Sequence, residues 1–326
     1  MGNHRIKNTL VLSFTCLLMA CGGGSSKGES TSIDDNNNLN PTVPGQPEQS
    51  ALEIALAKGD ASLVTDGDVF RTEALSFINQ KSSFYQADLQ QLLNLGSNNT
   101  AKTDGSSLTD ITWDATHDAA QLGAQFGFNS PLLFSNATQL NDSEVVRQLA
   151  VIGSEKATQG IGRYMVMGSN PMRSLKREFD INDQMQQLMK NSIEWLSQRK
   201  NFDTQPLNIV MSQLDQSYYF PDALATREWL DAQYPSQVQY NEQDACDGEL
   251  LASCITADTD LLIISQQGLS DSSKIDQILS QIDAALKANV GILYMHWDGG
   301  LTDLGKGILN RLHVSYVRDN YWQKAI

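Results

Sequence analysis

This 326-residue chain contains no apolar run of about 20 residues, the length needed to cross a bilayer as a helix. It also lacks a basic cluster: 23 Lys and Arg stand against 38 Asp and Glu, a formal charge of −15. A chain this acidic is a poor partner for a phosphate backbone, so nucleic acid is excluded as a ligand. Cysteine is scarce, with four in all: Cys16, Cys21, Cys246 and Cys254. His117, His296, His313 and His4 are the only histidines, and no Cys or His cluster has metal-ligand spacing, so no metal or cofactor is expected. Neither a Gly-x-Ser-x-Gly elbow nor a nucleophilic cysteine on a strand-to-helix turn is present. No internal repeat is visible.

What is present begins at the N-terminus. Arg5 and Lys7 precede an apolar stretch at residues 9–19, which is 11 residues long and ends at Leu18-Met19-Ala20-Cys21. A positive head, a short apolar centre and small residues at the cut describe a secretory signal rather than a membrane span. The Leu-x-Ala-Cys pattern is a lipobox, which predicts cleavage before Cys21 and acylation, with palmitate, of that thiol. Gly22 follows the cysteine; by resemblance to Gram-negative lipoproteins, this implies the outer membrane and a membrane partnership through the lipid. Loss of residues 1–20 removes Arg5 and Lys7 and takes the formal charge from −15 to −17. Residues 21–50 are rich in Gly, Ser, Asn, Asp and Pro without hydrophobic period, which predicts a disordered tether. In an oxidising compartment the remaining pair, Cys246 and Cys254, is expected to form a local disulfide.

The rest divides by pattern. Residues 51–200 are expected to form a helical and mixed α/β subdomain. It has a long helix over 68–95, strand candidates at 111–113, 132–134, 148–153 and 163–167, and a helix ending near Leu196. Residues 201–326 are expected to form an α/β domain. Apolar strands at 207–211, 260–265 and 290–295, with a short one at 238–240, alternate with helices at 221–233, 272–288 and 302–312. Continuous apolar strands between amphipathic helices predict a parallel, doubly wound sheet of flavodoxin-like or amidotransferase-like kind.

Such a sheet offers ligands the carboxyl ends of its strands. This directs attention to residues 212–215, 265–268 and 296–300, and above all to His296, Trp297 and Asp298, followed by Gly299 and Gly300. A flat ring, two hydrogen-bonding side chains and two permissive glycines suit a sugar or polar peptide. The same residues also make an ordinary strand-to-helix turn, with the histidine satisfied by backbone. Ser265 lacks the preceding glycine of a nucleophile elbow. His117 beside Trp113 and Asp114 and the glycines at 160 and 162 read as structural, as do Trp195 and Trp229 on helix faces; Asp244, Asp247 and Glu249 lack the spacing of a calcium loop.

Several segments carry a family likeness. The stretch 53–66, the pair Cys246 and Cys254, Leu-Leu-Ile-Ile at 261–264, Tyr-Met-His-Trp at 294–297 and Asp-Asn-Tyr-Trp at 319–322 follow one another in a familiar order and spacing. From residue 52 to 322 the chain resembles the N-terminal region of the immunomodulating metalloproteases, enhancin-like zinc peptidases directed at mucins and other O-glycoproteins. The resemblance implies an accessory module with a host glycoprotein or mucin as partner. In that family the catalytic His-Glu-x-x-His lies far downstream, with two histidines one turn apart on zinc and the glutamate as general base. None of the four histidines here forms that pattern, so no catalytic residue carries over. The match ends close to Ile326, and a fragment, a truncated gene product (cutting short the α/β domain) and a stand-alone accessory copy stay open. A free-standing glycan- or protein-binding adhesin is the alternative reading.

Overall fold

A computed structural model of the chain describes residues 67–109, 111, 119–125, 128–135, 147–153, 162–176, 183–212, 220–240, 255–265, 275–296 and 301–320. The chain forms two compact units. One is Leu12–Gln80, of which only residues 67–80, the start of the first helix, are described; the other contains Lys81–Ile326, with the rest of that helix and every other described element. Cys21, Cys246 and Cys254 lie outside the described residues, as do the expected signal, tether and disulfide and the strand expected at 112–113.

The described helices are α1 (Gly67–Leu92), α2 (Pro171–Lys176), α3 (Asp183–Ser197), α4 (Phe220–Gln233), α5 (Ile275–Lys287) and α6 (Asp303–Arg311). The strands are β1 (Ala119–Ala124), β2 (Ser130–Ser135), β3 (Arg147–Gly153), β4 (Tyr164–Met167), β5 (Leu207–Ser212), β6 (Val238–Tyr240), β7 (Leu261–Ile264), β8 (Gly291–Met295) and β9 (Val314–Asn320). Seven strands form one sheet in the order β2-β3-β4-β8-β7-β5-β6, and β1 pairs with β9 in a separate two-stranded ribbon. From β4 to β6 all neighbours are parallel, while β2 and β3 extend the sheet antiparallel.

Every residue of β4, β7 and β8 is buried, which is why these strands read as unbroken apolar runs: helices cover both faces. On one face Val151, Tyr164, Val166, Val210, Leu262, Ile264, Ile292 and Tyr294 pack against α5 and α6. The apolar stripe of α5, Ile278, Leu279, Ile282, Ala285 and Leu286, follows helical spacing and is buried there. Thr302 caps α6, its hydroxyl accepting the Gly305 amide at 3.1 Å. On the other face α3 approaches β8 so closely that a Cβ at Gly291 would meet the Leu196 carbonyl. Trp195 anchors α3 to α1, its indole donating to Asp88 at 2.9 Å, and Arg163 lies over the same ring, 5.2 Å from its centroid.

The strands β6-β5-β7-β8 follow the flavodoxin-like order, with the topological switch between β5 and β7. The next place in the sheet is taken by β4, which comes from upstream: Tyr164 pairs with Ile292 and Met167 with Met295. The sheet therefore runs across residue 200, where the sequence suggested a boundary. The last described strand, β9, lies outside this sheet and pairs antiparallel with β1, joining Ala119 to Asn320 and Ala124 to Val314. Alternation of strands and helices identifies a layered α/β fold but not which strand lies beside which. The ribbon is pinned to the sheet where the Ala120 amide donates to the Gly168 carbonyl at 2.7 Å. A Cβ on Gly168 would strike the Ala120 carbonyl, so this approach needs glycine.

Candidate functional site

At the carboxyl ends of the parallel strands Met167 pairs with Met295, Ile264 with Tyr294, and Ser212 with Ile264. Ser212, Ser265 and His296 therefore stand along one edge of the sheet, as the sequence suggests. Their accessibility is another matter. His296 is 0% exposed and Ser265 2%. The His296 amide donates to the Met167 carbonyl at 2.8 Å, and its Nδ1 shares a hydrogen bond with the Tyr294 hydroxyl at 2.8 Å. Tyr294 and Tyr316 approach the imidazole with ring centroids at 5.7 and 5.4 Å. Burial pushes the Tyr294 phenol well above its ordinary range, so this hydroxyl stays protonated. The imidazole thus lies beneath the β1–β9 ribbon as a packed, hydrogen-bonded core group. Trp297 and Asp298 lie outside the described residues, as do residues 213–215 and 266–268 and His117.

Farther along the same edge a polar cluster joins α2 to α4. Asn170 accepts the Arg173 amide at 3.0 Å and donates to the Thr226 hydroxyl at 3.0 Å. Thr226 donates in turn to the Asp222 carbonyl at 2.8 Å, and Arg173 meets the Asp222 carboxylate at 2.8 Å. Asn170, Asp222 and Thr226 are all buried. This arrangement holds two helices together across the sheet edge; its polar groups face one another. Sequence reading missed it, because residues some fifty positions apart meet only once β4 and β5 are in place.

A second polar centre lies where the chain turns from β1 into β2. The Gln125 carbonyl accepts the amides of Phe128 at 3.1 Å and Asn129 at 3.2 Å, while the Asn129 side chain accepts the Gln125 amide at 2.7 Å. The Asn129 amide group also donates to the carbonyls of Leu312 and His313, at 3.1 and 2.7 Å, and to the Tyr164 hydroxyl at 3.3 Å. This closed turn presents Phe128 at 43% exposure, its ring stacked on His313 with centroids 3.9 Å apart and planes 20° from parallel. Burial lowers the His313 pKa from 6.5, favouring the neutral imidazole. No helix among the described residues is long and apolar enough to cross a membrane. No group of three or more His, Cys, Asp or Glu among them is placed to hold a metal ion.

The family model described as the immunomodulating metalloprotease N-terminal domain matches residues 126–320. No curated protein matches the chain. Among solved structures the fold is similar to the IMPa metallopeptidase from Pseudomonas aeruginosa, with a TM-score of 0.52 and 22% identity over 83% of this chain and 26% of that one. It is equally similar to IMPa from Pseudomonas aeruginosa in complex with an O-glycopeptide, with a TM-score of 0.53, 22% identity and the same coverage, 83% and 26%. At that identity the likeness is one of fold, and the chain spans about a quarter of the length of those metallopeptidases. The matched residues run from the turn before β2 to the end of β9, more than half of the chain. The chain belongs to the immunomodulating metalloprotease N-terminal domain family.

Proposed function

We propose that this protein is an exported lipoprotein, held at the outer membrane through lipid on Cys21, and that the region from residue 51 onward is a non-catalytic accessory module. It binds or positions O-glycosylated protein for peptidase chemistry carried elsewhere. The family match over residues 126–320, together with a sequence in which His-Glu-x-x-His does not occur, supports the module, and the Leu18–Cys21 lipobox supports the anchor. The O-glycopeptide bound by the Pseudomonas metallopeptidase supports a glycoprotein as the ligand class. The buried His296 fits a module without chemistry of its own, because general acid–base catalysis needs a group within reach of substrate.

Purified full chain should retain an O-glycosylated mucin on a column, release it after deglycosylation, leave its peptide bonds intact and contain no stoichiometric zinc. Chelator-sensitive cleavage would show a catalytic protein, and equal retention of deglycosylated mucin would remove the glycan from the account. The anchor is tested separately: Cys21→Ala should end incorporation of labelled fatty acid and release the protein from membranes. Equal labelling of that variant would place the acyl chain elsewhere.

A further inference from the structure

The β1–β9 ribbon turns one face inward and the other to solvent. Leu122 and Val314 are buried on the inner face, where Ala124 and Tyr316 also pack against the core. The outer face carries Gly123, Gln125, Ser315 and Val317, the last 54% exposed. Gln125 donates to the Ser315 hydroxyl at 3.2 Å. A Cβ on Gly123 would lie 3.3 Å from Ser315 Cβ and 3.7 Å from Val317 Cγ2, so both side chains flank the half-buried backbone there. At the end of this strip stands the Phe128–His313 stack. The strip thus runs from a flat ring, past an amide and a hydroxyl, to the glycine backbone at Gly123 and the exposed Val317 side chain.

None of these side chains is a carboxylate, a lysine or an arginine, in a chain of 38 acidic and 23 basic residues. We propose that this outer face, built from Phe128, His313, Gln125, Ser315, Gly123 and Val317, is the contact surface for a neutral sugar of an O-glycosylated chain. This proposal rests on the glycoprotein-binding reading above. The C–H face of a pyranose packs on an aromatic ring, and its hydroxyls pair with amide and hydroxyl groups at the rim. Among the described side chains of the strip an anionic sugar finds no Lys or Arg, and it meets a field of the same sign from the chain as a whole. That field also opposes a second copy of the chain, which without residues 1–20 would bring another −17 against it. The Phe128 and Asn129 amides both donate to the Gln125 carbonyl, which ties down the backbone that carries Phe128 and limits the freedom lost on binding.

The test uses the full chain in detergent and three fluorescent peptides of one sequence: bare, bearing a neutral Thr-linked disaccharide, and bearing the same disaccharide capped with sialic acid. Anisotropy should show the neutral glycopeptide bound at least about tenfold more tightly than the other two. Phe128→Ala and Ser315→Trp should each weaken that binding about tenfold, the loss of one stacking or fitting contact, with melting temperatures unchanged. Phe128→Leu, which keeps an apolar side chain without the flat ring, should behave like Phe128→Ala and guards against a folding defect. Folded variants that bind as the wild type does would overturn the ribbon assignment and leave the glycoprotein reading standing. Equal binding of the sialylated peptide would overturn the claim of neutrality. A wild type that binds none of the three would remove the glycoprotein reading, and this proposal with it.

Discussion

His313 occupies the left-handed region, φ 52°, just past the end of α6, a conformation that costs a non-glycine residue energy unless its surroundings hold it. Three contacts do so: its amide donates to the Asn310 carbonyl at 3.2 Å, its carbonyl accepts Asn129 at 2.7 Å, and its ring stacks on Phe128. The stack withdraws part of the imidazole from water, which lowers its pKa from 6.5. The native state therefore binds this proton less readily than the unfolded chain does. The resulting stability is complete above the unfolded value near 6.5 and is lost as pH falls below it. Glu194 acts in the opposite sense in the acid range, because burial raises its pKa from 4.5, so the comparison has to be made against a variant. The difference in melting temperature between wild type and His313→Gln should shift toward the variant between about pH 8 and about pH 5. A difference that does not change with pH would mean that the imidazole titrates alike in both states.

At the scale of elements, the junction between β1, β2, β4 and α6 depends on Asn129, which is 3% exposed, directly precedes β2 and is hydrogen-bonded to Gln125 after β1, Tyr164 of β4 and Leu312 and His313 after α6. Asn129→Ala would leave the Leu312 and His313 carbonyls just past α6, the Gln125 amide and the buried Tyr164 hydroxyl short of partners. The expected loss is about 2–4 kcal/mol, read as a lower urea midpoint with an unchanged slope; a change under about 0.5 kcal/mol would show that water replaces the side chain. Neither this junction nor the ribbon was legible in the sequence. The strands β7 and β8 were, because Leu-Leu-Ile-Ile and Gly-Ile-Leu-Tyr-Met are apolar throughout, as strands buried on both faces must be. The amphipathic period of α5 and the Thr302 cap of α6 were equally local signals. By contrast β1, Ala-Ala-Gln-Leu-Gly-Ala, is made of small residues without strand propensity, and only its pairing with β9 makes it a strand. The same non-local fact governs the candidate site. Sequence placed His296 correctly at the carboxyl end of β8, but its cover includes Tyr316, contributed by the ribbon. Phe128 stood in no recognisable motif; its exposure and its stack on His313 exist only in three dimensions.

For the whole molecule, the position of β4 decides how the chain can fold. A flavodoxin-like layer built from residues 201–326 alone would need its own strand beside β8, but the strand that follows α6 pairs with β1 instead. The edge of β8 is covered by β4, whose four residues are all buried, and beyond it lie β3 and β2. Without them the second half would expose an open edge at β8 together with the apolar faces that Tyr164 and Val166 cover, a surface prone to pairing with other chains. The first half alone would lose β8 from one edge of β4, and β9, the partner of β1. The two halves are therefore expected to fold together, although the change of sequence pattern near residue 200 suggests two parts. Residues 51–200 and 201–326, produced separately, should each lack a cooperative thermal transition and bind the dye that reports exposed apolar surface. Produced together, they should form a soluble complex with a single transition. A sharp melt and a well-dispersed NMR spectrum from residues 201–326 alone would show that the α/β layer closes without β4 and that the sheet is two units placed side by side.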